Sequence, residues 1–159
     1  MSLKDATNLT NEFINKCGPN YKATTFKNTK ETFEKLHNKG IKLGAISSGA
    51  RFMIEEIYRT QIEEHLKFHE FIFDNNDLGV KKPDPKVFDK AFEILSQYEI
   101  LENETIYVGD SFHDYEAALN RGLIFYAVTI GVKSKQDFLD SGLAEGFVLE
   151  NFNEILEVV

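Results

Sequence analysis

Four short runs dominated by apolar residues recur along this chain, and each is followed by a polar turn. They are Ile41–Ile46, Glu70–Phe73, Thr105–Val108 and Leu123–Thr129. Strands that read apolar nearly throughout are buried on both faces, which is the pattern of a parallel sheet covered by helices. Helical periodicity fills the stretches between them. Phe33 and Leu36 give one apolar face, Phe52 to Tyr58 a second, and Val87, Phe88, Ala91, Phe92 and Leu95 a third. Further helices are predicted at Leu9–Cys17, Asp114–Arg121 and Gln136–Leu139, with a last short strand at Phe147–Leu149.

The helix ends carry their own punctuation. Asn28 with Glu31, and Asn151 with Glu154, read as capping pairs. Gly40 and Gly122 stand where a helix closes, and Asp84-Pro85 reads as a helix start. The predicted class is a doubly wound, Rossmann-like α/β fold, a parallel sheet with helices on both faces. Ligands bind such sheets at the carboxyl ends of the strands. The loops after Ile46, Phe73, Val108 and Thr129 are therefore the places to look for a site.

Composition narrows the partners. The chain has 159 residues, with 18 Lys and Arg against 26 Asp and Glu, for a net charge of −8. That balance disfavours electrostatic wrapping around nucleic acid or an anionic membrane. Its one cysteine, Cys17, has no internal disulfide partner and suits a reducing compartment. No apolar run approaches the roughly 20 residues of a membrane span, and no apolar leader follows Met1. The expectation is a cytoplasmic domain.

Three of the strand-end loops carry chemistry. Ser47-Ser48-Gly49 places hydroxyls and backbone N–H groups where they either bind an oxyanion or form an ordinary turn. In Gly79-Val80-Lys81-Lys82-Pro83-Asp84-Pro85, proline holds Lys82 extended, as a point charge for a phosphate or as one of a solvated lysine pair. In Gly109-Asp110-Ser111-Phe112-His113-Asp114, two carboxylates lie four residues apart after an apolar strand. Two such groups suit a hard cation such as Mg²⁺, although Asp114 alone also reads as a helix cap. His113 reads as an exposed loop residue. His37, His65 and His69 read as surface residues, and the phenylalanines as packing.

In this order, the three motifs resemble those of the haloacid dehalogenase-like hydrolase superfamily. Gly-Ala-Ile-Ser-Ser-Gly at 44–49 is similar to its second motif, Lys82 in Lys-Lys-Pro-Asp-Pro to its third, and Gly-Asp-Ser-Phe-His-Asp at 109–114 to its fourth. The resemblance implies a Mg²⁺-dependent phosphatase acting on a small phosphorylated metabolite. It implies that Ser47 contacts the transferring phosphoryl group, with Ser48 and Gly49 amides nearby. Lys82 would neutralise its charge, Asp110 would ligate Mg²⁺, and Asp114 would support the metal directly or through water.

One element of the family pattern is missing. Its first motif is an apolar strand ending in Asp-x-Asp, which supplies the nucleophile and lies centrally in the sheet. Asp5 follows Met-Ser-Leu-Lys, not a buried strand, and Asp-Ala-Thr is not Asp-x-Asp. Residues 1–20 resemble the end of the family's helical cap, and residues 21–159 its core domain, without the usual first strand. The leading expectation is the C-terminal part of a phosphatase, inactive as this chain. The alternative is a natural non-catalytic module that binds phosphate, metal or a partner. A receiver-like or flavodoxin-like module fits the motifs poorly. Without the central strand, two sheet edges would lack partners unless they close on each other or another strand fills the slot. A monomer or a homodimer is expected.

Overall fold

The computed structural model describes residues 25–49 and 69–159. The helices expected at Leu9–Cys17 and Phe52–Tyr58, the cap-like segment 1–20, Cys17 and His65 lie outside these residues.

The described elements follow the expected alternation. They are α1 (Thr29–Asn38), β1 (Leu43–Ile46), β2 (His69–Phe73), α2 (Asn75–Leu78), a 3-10 turn at Pro85–Phe88 running into α3 (Asp89–Leu95), β3 (Ile106–Gly109), α4 (Phe112–Arg121), β4 (Ile124–Val128), α5 (Lys135–Asp140), β5 (Val148–Leu149) and a closing 3-10 helix at Phe152–Glu157. All strand pairings are parallel: β1 with β2, β3 with β4, and β4 with β5.

Side-chain alternation along β4 shows why helices cover both faces. Phe125 and Ala127 point into one cluster with Val87, Phe88, Ala117, Ala118 and Phe138, under the helices that follow residue 85. Tyr126 and Val128 point to the other face and meet Leu36, Leu149 and Ile155. A strand has a side-chain period of two, so burial on both sides needs a layer on each. On the second face, Phe33 of α1 meets Phe152 edge-on at 5.2 Å between ring centroids. The chain is thus an α/β fold with a parallel sheet between two helical layers.

Among the described residues the sheet is in two parts, β1–β2 and β3–β4–β5. The edges of β1 and β3 do not close on each other. They are nonetheless neighbours. Leu43 of β1 packs on the same cluster as Ile106 and Val108 of β3. A cleft of about 90 Å³ is lined by Gly44 and Ile46 on one side and Ile106 and Tyr107 on the other.

Three local expectations are corrected. Asn28 does not cap α1 with its side chain: it sits at φ 64°, and its carbonyl accepts the Thr32 amide at 3.0 Å and the Thr32 hydroxyl at 2.7 Å. The left-handed backbone turns its side chain away from the amides it would need to reach. The stretch 74–77 is not a plain turn but opens α2. The Asp77 amide donates to Asp74 Oδ1 at 3.0 Å while the Asp74 amide donates to Asp77 Oδ2 at 2.9 Å, a reciprocal cap. Asn151 makes no cap bond either, and Glu154 instead accepts from the Glu150 amide at 2.9 Å. Asp84 does cap as read, accepting the Lys86 amide at 2.9 Å ahead of Pro85. Gly40 and Gly122 close their helices at φ 80° and 81°, a region open to glycine at no steric cost.

Candidate active site

Ser47 follows β1 directly and extends its ladder, donating its amide to the Phe73 carbonyl at 2.9 Å. Its hydroxyl oxygen accepts the Gly49 amide at 3.0 Å. The Gly49 N–H is therefore used within the turn. Sequence reasoning offered it to a phosphate.

Lys82 stands between the two sheets. Its chain approaches through the turn before α3, where the Lys82–Pro83 peptide is cis. Its ammonium donates to Asp114 Oδ1 at 2.5 Å, to the Tyr107 phenol oxygen at 3.0 Å and to the Ile46 carbonyl at 3.3 Å. An ammonium has three N–H donors, and the protein accepts all three. Ile46 ends β1 immediately before Ser47, and Tyr107 lies on β3 three residues before Asp110. One side chain therefore ties the ends of both sheets together. The solvated-lysine reading is overturned for Lys82, whose side chain is 9% exposed.

Asp114 is at the third position of α4, inside a capping box. Ser111 is the N-cap and accepts the Asp114 amide at 3.2 Å; Asp114 Oδ2 accepts the Ser111 amide at 3.2 Å and its hydroxyl at 2.5 Å. Oδ1 accepts from Lys82 and, at 2.9 Å, from Tyr107. A carboxylate offers about four acceptor sites, and all four are occupied. Burial pushes the Asp114 carboxyl upward, but Lys82, Ser111 and Tyr107 more than offset this and hold it below the usual range. Burial, with the carboxylates of Asp114 and Asp110 nearby, pushes the Tyr107 phenol well above its ordinary range.

Asp110 contrasts with Asp114. It follows Gly109 at the end of β3, and its carboxylate has no hydrogen-bond or ion-pair partner among the described residues. Gly131, in the loop after β4, presses against it. A Cβ placed on Gly131 would lie 2.7 Å from the Asp110 Cβ and Cγ. A Cβ on Gly109 would likewise lie 2.5 Å from the Asp114 Cβ. Two glycines therefore let the backbone come close behind the two acids.

A Mg²⁺ ion takes oxygen ligands and keeps several waters, needing only one or two carboxylates from its protein. Asp110 fits that requirement as an uncommitted carboxylate at a strand end. Asp114, with its oxygens fully engaged, fits a supporting place behind it. No cluster of three or more His, Cys, Asp or Glu side chains in position to hold a metal occurs among the described residues. His113 is exposed on the first turn of α4, and His37 is exposed in the last turn of α1.

The structure thus brings Ser47, Lys82, Asp110 and Asp114 to the carboxyl ends of β1 and β3. Comparison with known proteins gives the family. Residues 3–128 match the haloacid dehalogenase-like hydrolase family. The chain belongs to that family. A glyceraldehyde 3-phosphate phosphatase of Methanopyrus kandleri is 31% identical over 130 residues, which are 80% of this chain and 53% of that protein. A phosphoglycolate phosphatase of Vibrio parahaemolyticus is 28% identical over 132 residues, 82% of this chain and 54% of its own length. The chain therefore spans about half the length of these relatives. Among solved structures, a haloacid dehalogenase-like hydrolase of Bacteroides fragilis superposes with a TM-score of 0.82 at 23% identity, covering 98% of this chain and 71% of that one. It shares the fold.

Sequence reasoning missed Tyr107, Ser111 and Gly131. Tyr107 was absorbed into an apolar strand, though a phenol in a buried strand needs a polar partner and was a signal in itself. Ser111 was hidden by Asp114, which was read as the cap in its place. Gly131 lies in one of the strand-end loops singled out above, but nothing in the sequence says that Asp110 rests against it.

Proposed function

We propose that this chain carries the phosphate- and metal-binding part of a Mg²⁺-dependent phosphatase for small phosphate esters. The observation that supports this reading is the placement of Lys82: buried, and bonded to the residue before Ser47 and to the strand that delivers Asp110. Phosphoryl transfer needs positioning and charge neutralisation more than covalent machinery, and these residues supply both. Two relatives are named as phosphatases of small phosphorylated compounds, glyceraldehyde 3-phosphate and phosphoglycolate.

In this reading Ser47 and the Ser48 and Gly49 turn receive the phosphoryl oxygens, which requires the Gly49 amide to exchange its bond to Ser47 for one to substrate. Lys82 offsets the phosphoryl charge, and Asp110 holds the metal. Asp114 keeps Lys82 and the start of α4 in place behind the metal. When bound, Mg²⁺ supplies charge neutralisation for the phosphoryl group. The attacking carboxylate belongs to an apolar strand ending in Asp-x-Asp that this sequence lacks. In the family pattern that strand is central, between the strands corresponding to β1 and β3, whose edges are unpaired with each other among the described residues. Residues 1–20, as the end of a cap, would share in substrate choice. The chain alone is then inactive, a monomer or a homodimer, and works in the cytoplasm on a phosphorylated metabolite.

The test is to read the coding sequence just upstream and to assay the longer product. An apolar strand ending in Asp-x-Asp is expected there. The longer protein should hydrolyse p-nitrophenyl phosphate in a Mg²⁺-dependent way, and Lys82→Met or Asp110→Asn should abolish this. An upstream sequence without that element, or a longer protein inert with Mg²⁺, overturns the reading.

A further inference from the structure

Tyr107 contributes a polar atom to a site otherwise built from motif residues, and its bonding pattern gives it a defined task. Its ring is locked on two sides: against Phe88 edge-on, with centroids 4.9 Å apart, and against Phe125 at 6.1 Å. Phe88 belongs to the turn that follows Lys82-Pro83-Asp84, so one aromatic contact fixes the segment carrying Lys82. The phenol end then fixes the lysine head. Its oxygen accepts from Lys82 Nζ at 3.0 Å, and its hydroxyl donates to Asp114 Oδ1 at 2.9 Å.

We propose that Tyr107 is a positioning residue, which with Asp114 grips two of the three Lys82 donors and so dictates which one is left to meet a phosphoryl oxygen. The three ammonium bonds are unequal. Those to Asp114 and Tyr107 measure 2.5 and 3.0 Å, and the one to the Ile46 carbonyl measures 3.3 Å. The longest bond is also the one aimed at the end of β1, beside Ser47. An arriving phosphoryl oxygen replaces the Ile46 carbonyl as the third acceptor, and the two shorter bonds hold the ammonium in place during the exchange. A lysine stem has several rotatable bonds and much rotamer freedom. Without the phenol, one donor would lose its acceptor, Asp114 alone would grip the ammonium closely, and it would sample several directions.

The inference rests on the phosphatase reading for its purpose but not for its test, which reads Lys82 directly. Lysine side-chain N–H signals of the isotope-labelled chain are recorded by NMR, with Lys82→Arg used for assignment. In the wild type the Lys82 signal should exchange slowly with water and be rigid. Tyr107→Phe keeps the ring between Phe88 and Phe125 and removes only the hydroxyl. It should speed exchange roughly tenfold or more, as expected for a lost bond to a charged group, and loosen the Lys82 head with the backbone amide spectrum otherwise retained. Placing 3-fluorotyrosine at position 107 keeps the ring and the hydroxyl while weakening the oxygen as an acceptor, so it covers the case in which Tyr107→Phe fails to fold. It should shift the Lys82 signal. A Lys82 signal unmoved by either change overturns the proposal and leaves Tyr107 a packing residue. Inorganic phosphate is then titrated. If wild-type Lys82 ignores phosphate yet still depends on Tyr107, the phosphatase reading fails and the positioning role stands.

Discussion

The Lys82–Asp114 pair predicts a stability effect far larger than surface ion pairs produce. The two side chains are 9% and 7% exposed, and their charged atoms are 2.5 Å apart. Removing one partner of such a pair leaves a buried charge uncompensated, at a cost of about 3–5 kcal/mol. Asp114→Asn is the cleanest perturbation, because an amide oxygen still accepts from Ser111 and the helix cap is largely kept. For a domain of this size, each kcal/mol moves the melting temperature by about 2–4 °C, so the midpoint should fall by roughly 6–20 °C. The double variant Lys82→Met, Asp114→Asn should recover most of that loss, since no buried charge is left unpaired and the amide still bonds Ser111. Arg121→Met provides the contrast. Its ion pairs with Asp89 and Glu102 are open to water, with the two carboxylates 49% and 48% exposed, and should be worth under about 1 kcal/mol in all. Thermal and urea unfolding of the variants closes the cycle. An Asp114→Asn loss below about 1 kcal/mol, or a double variant as unstable as the single one, would refute the reasoning.

Two further outcomes follow from the same geometry. The Asp114 carboxyl is held low in the folded chain, so its contribution to stability is complete above the ordinary carboxylate value of about 4 and disappears as pH falls through the depressed folded value. Acid unfolding curves should show this loss in the wild type and lack it in Asp114→Asn. Gly131→Ala forces Asp110 to move, because the new Cβ meets the Asp110 Cβ and Cγ at 2.7 Å; Mn²⁺ binding followed by electron paramagnetic resonance should weaken about 10–100-fold, and an affinity unchanged from wild type would remove Gly131 from the site.

Much of the fold was legible because its signals are local. Apolar runs bounded by polar turns place β1, β3 and β4 within two residues, and Asp84-Pro85 marks the start of the turn into α3. The misreadings fall at helix starts, where residue type alone does not say which side chain reaches the free amides. Asn28, Asn151 and Asp114 were each read as the cap because each is chemically able to be one. The left-handed backbone at Asn28 and the presence of Ser111 three residues before Asp114 decided otherwise. Of the candidate site, the motifs gave Ser47, Lys82, Asp110 and Asp114, and the resemblance implied different parts for the two acids. What surrounds each acid was not legible, because Tyr107 and Gly131 reach them through tertiary contact. The sequence leaves open whether β1 and β3 close on each other or take another strand between them; among the described residues their edges stay unpaired with each other.

The central claim is that motifs on two separate sheets form one site for a phosphate and a metal. Titration calorimetry of the folded chain with inorganic phosphate, with and without Mg²⁺, tests it most directly. The account predicts one phosphate bound per chain, tighter binding when Mg²⁺ is present, loss of both in Lys82→Met, and loss of the Mg²⁺ effect alone in Asp110→Asn. A folded chain that takes up no phosphate under either condition, or binds it equally well without Lys82, contradicts the account.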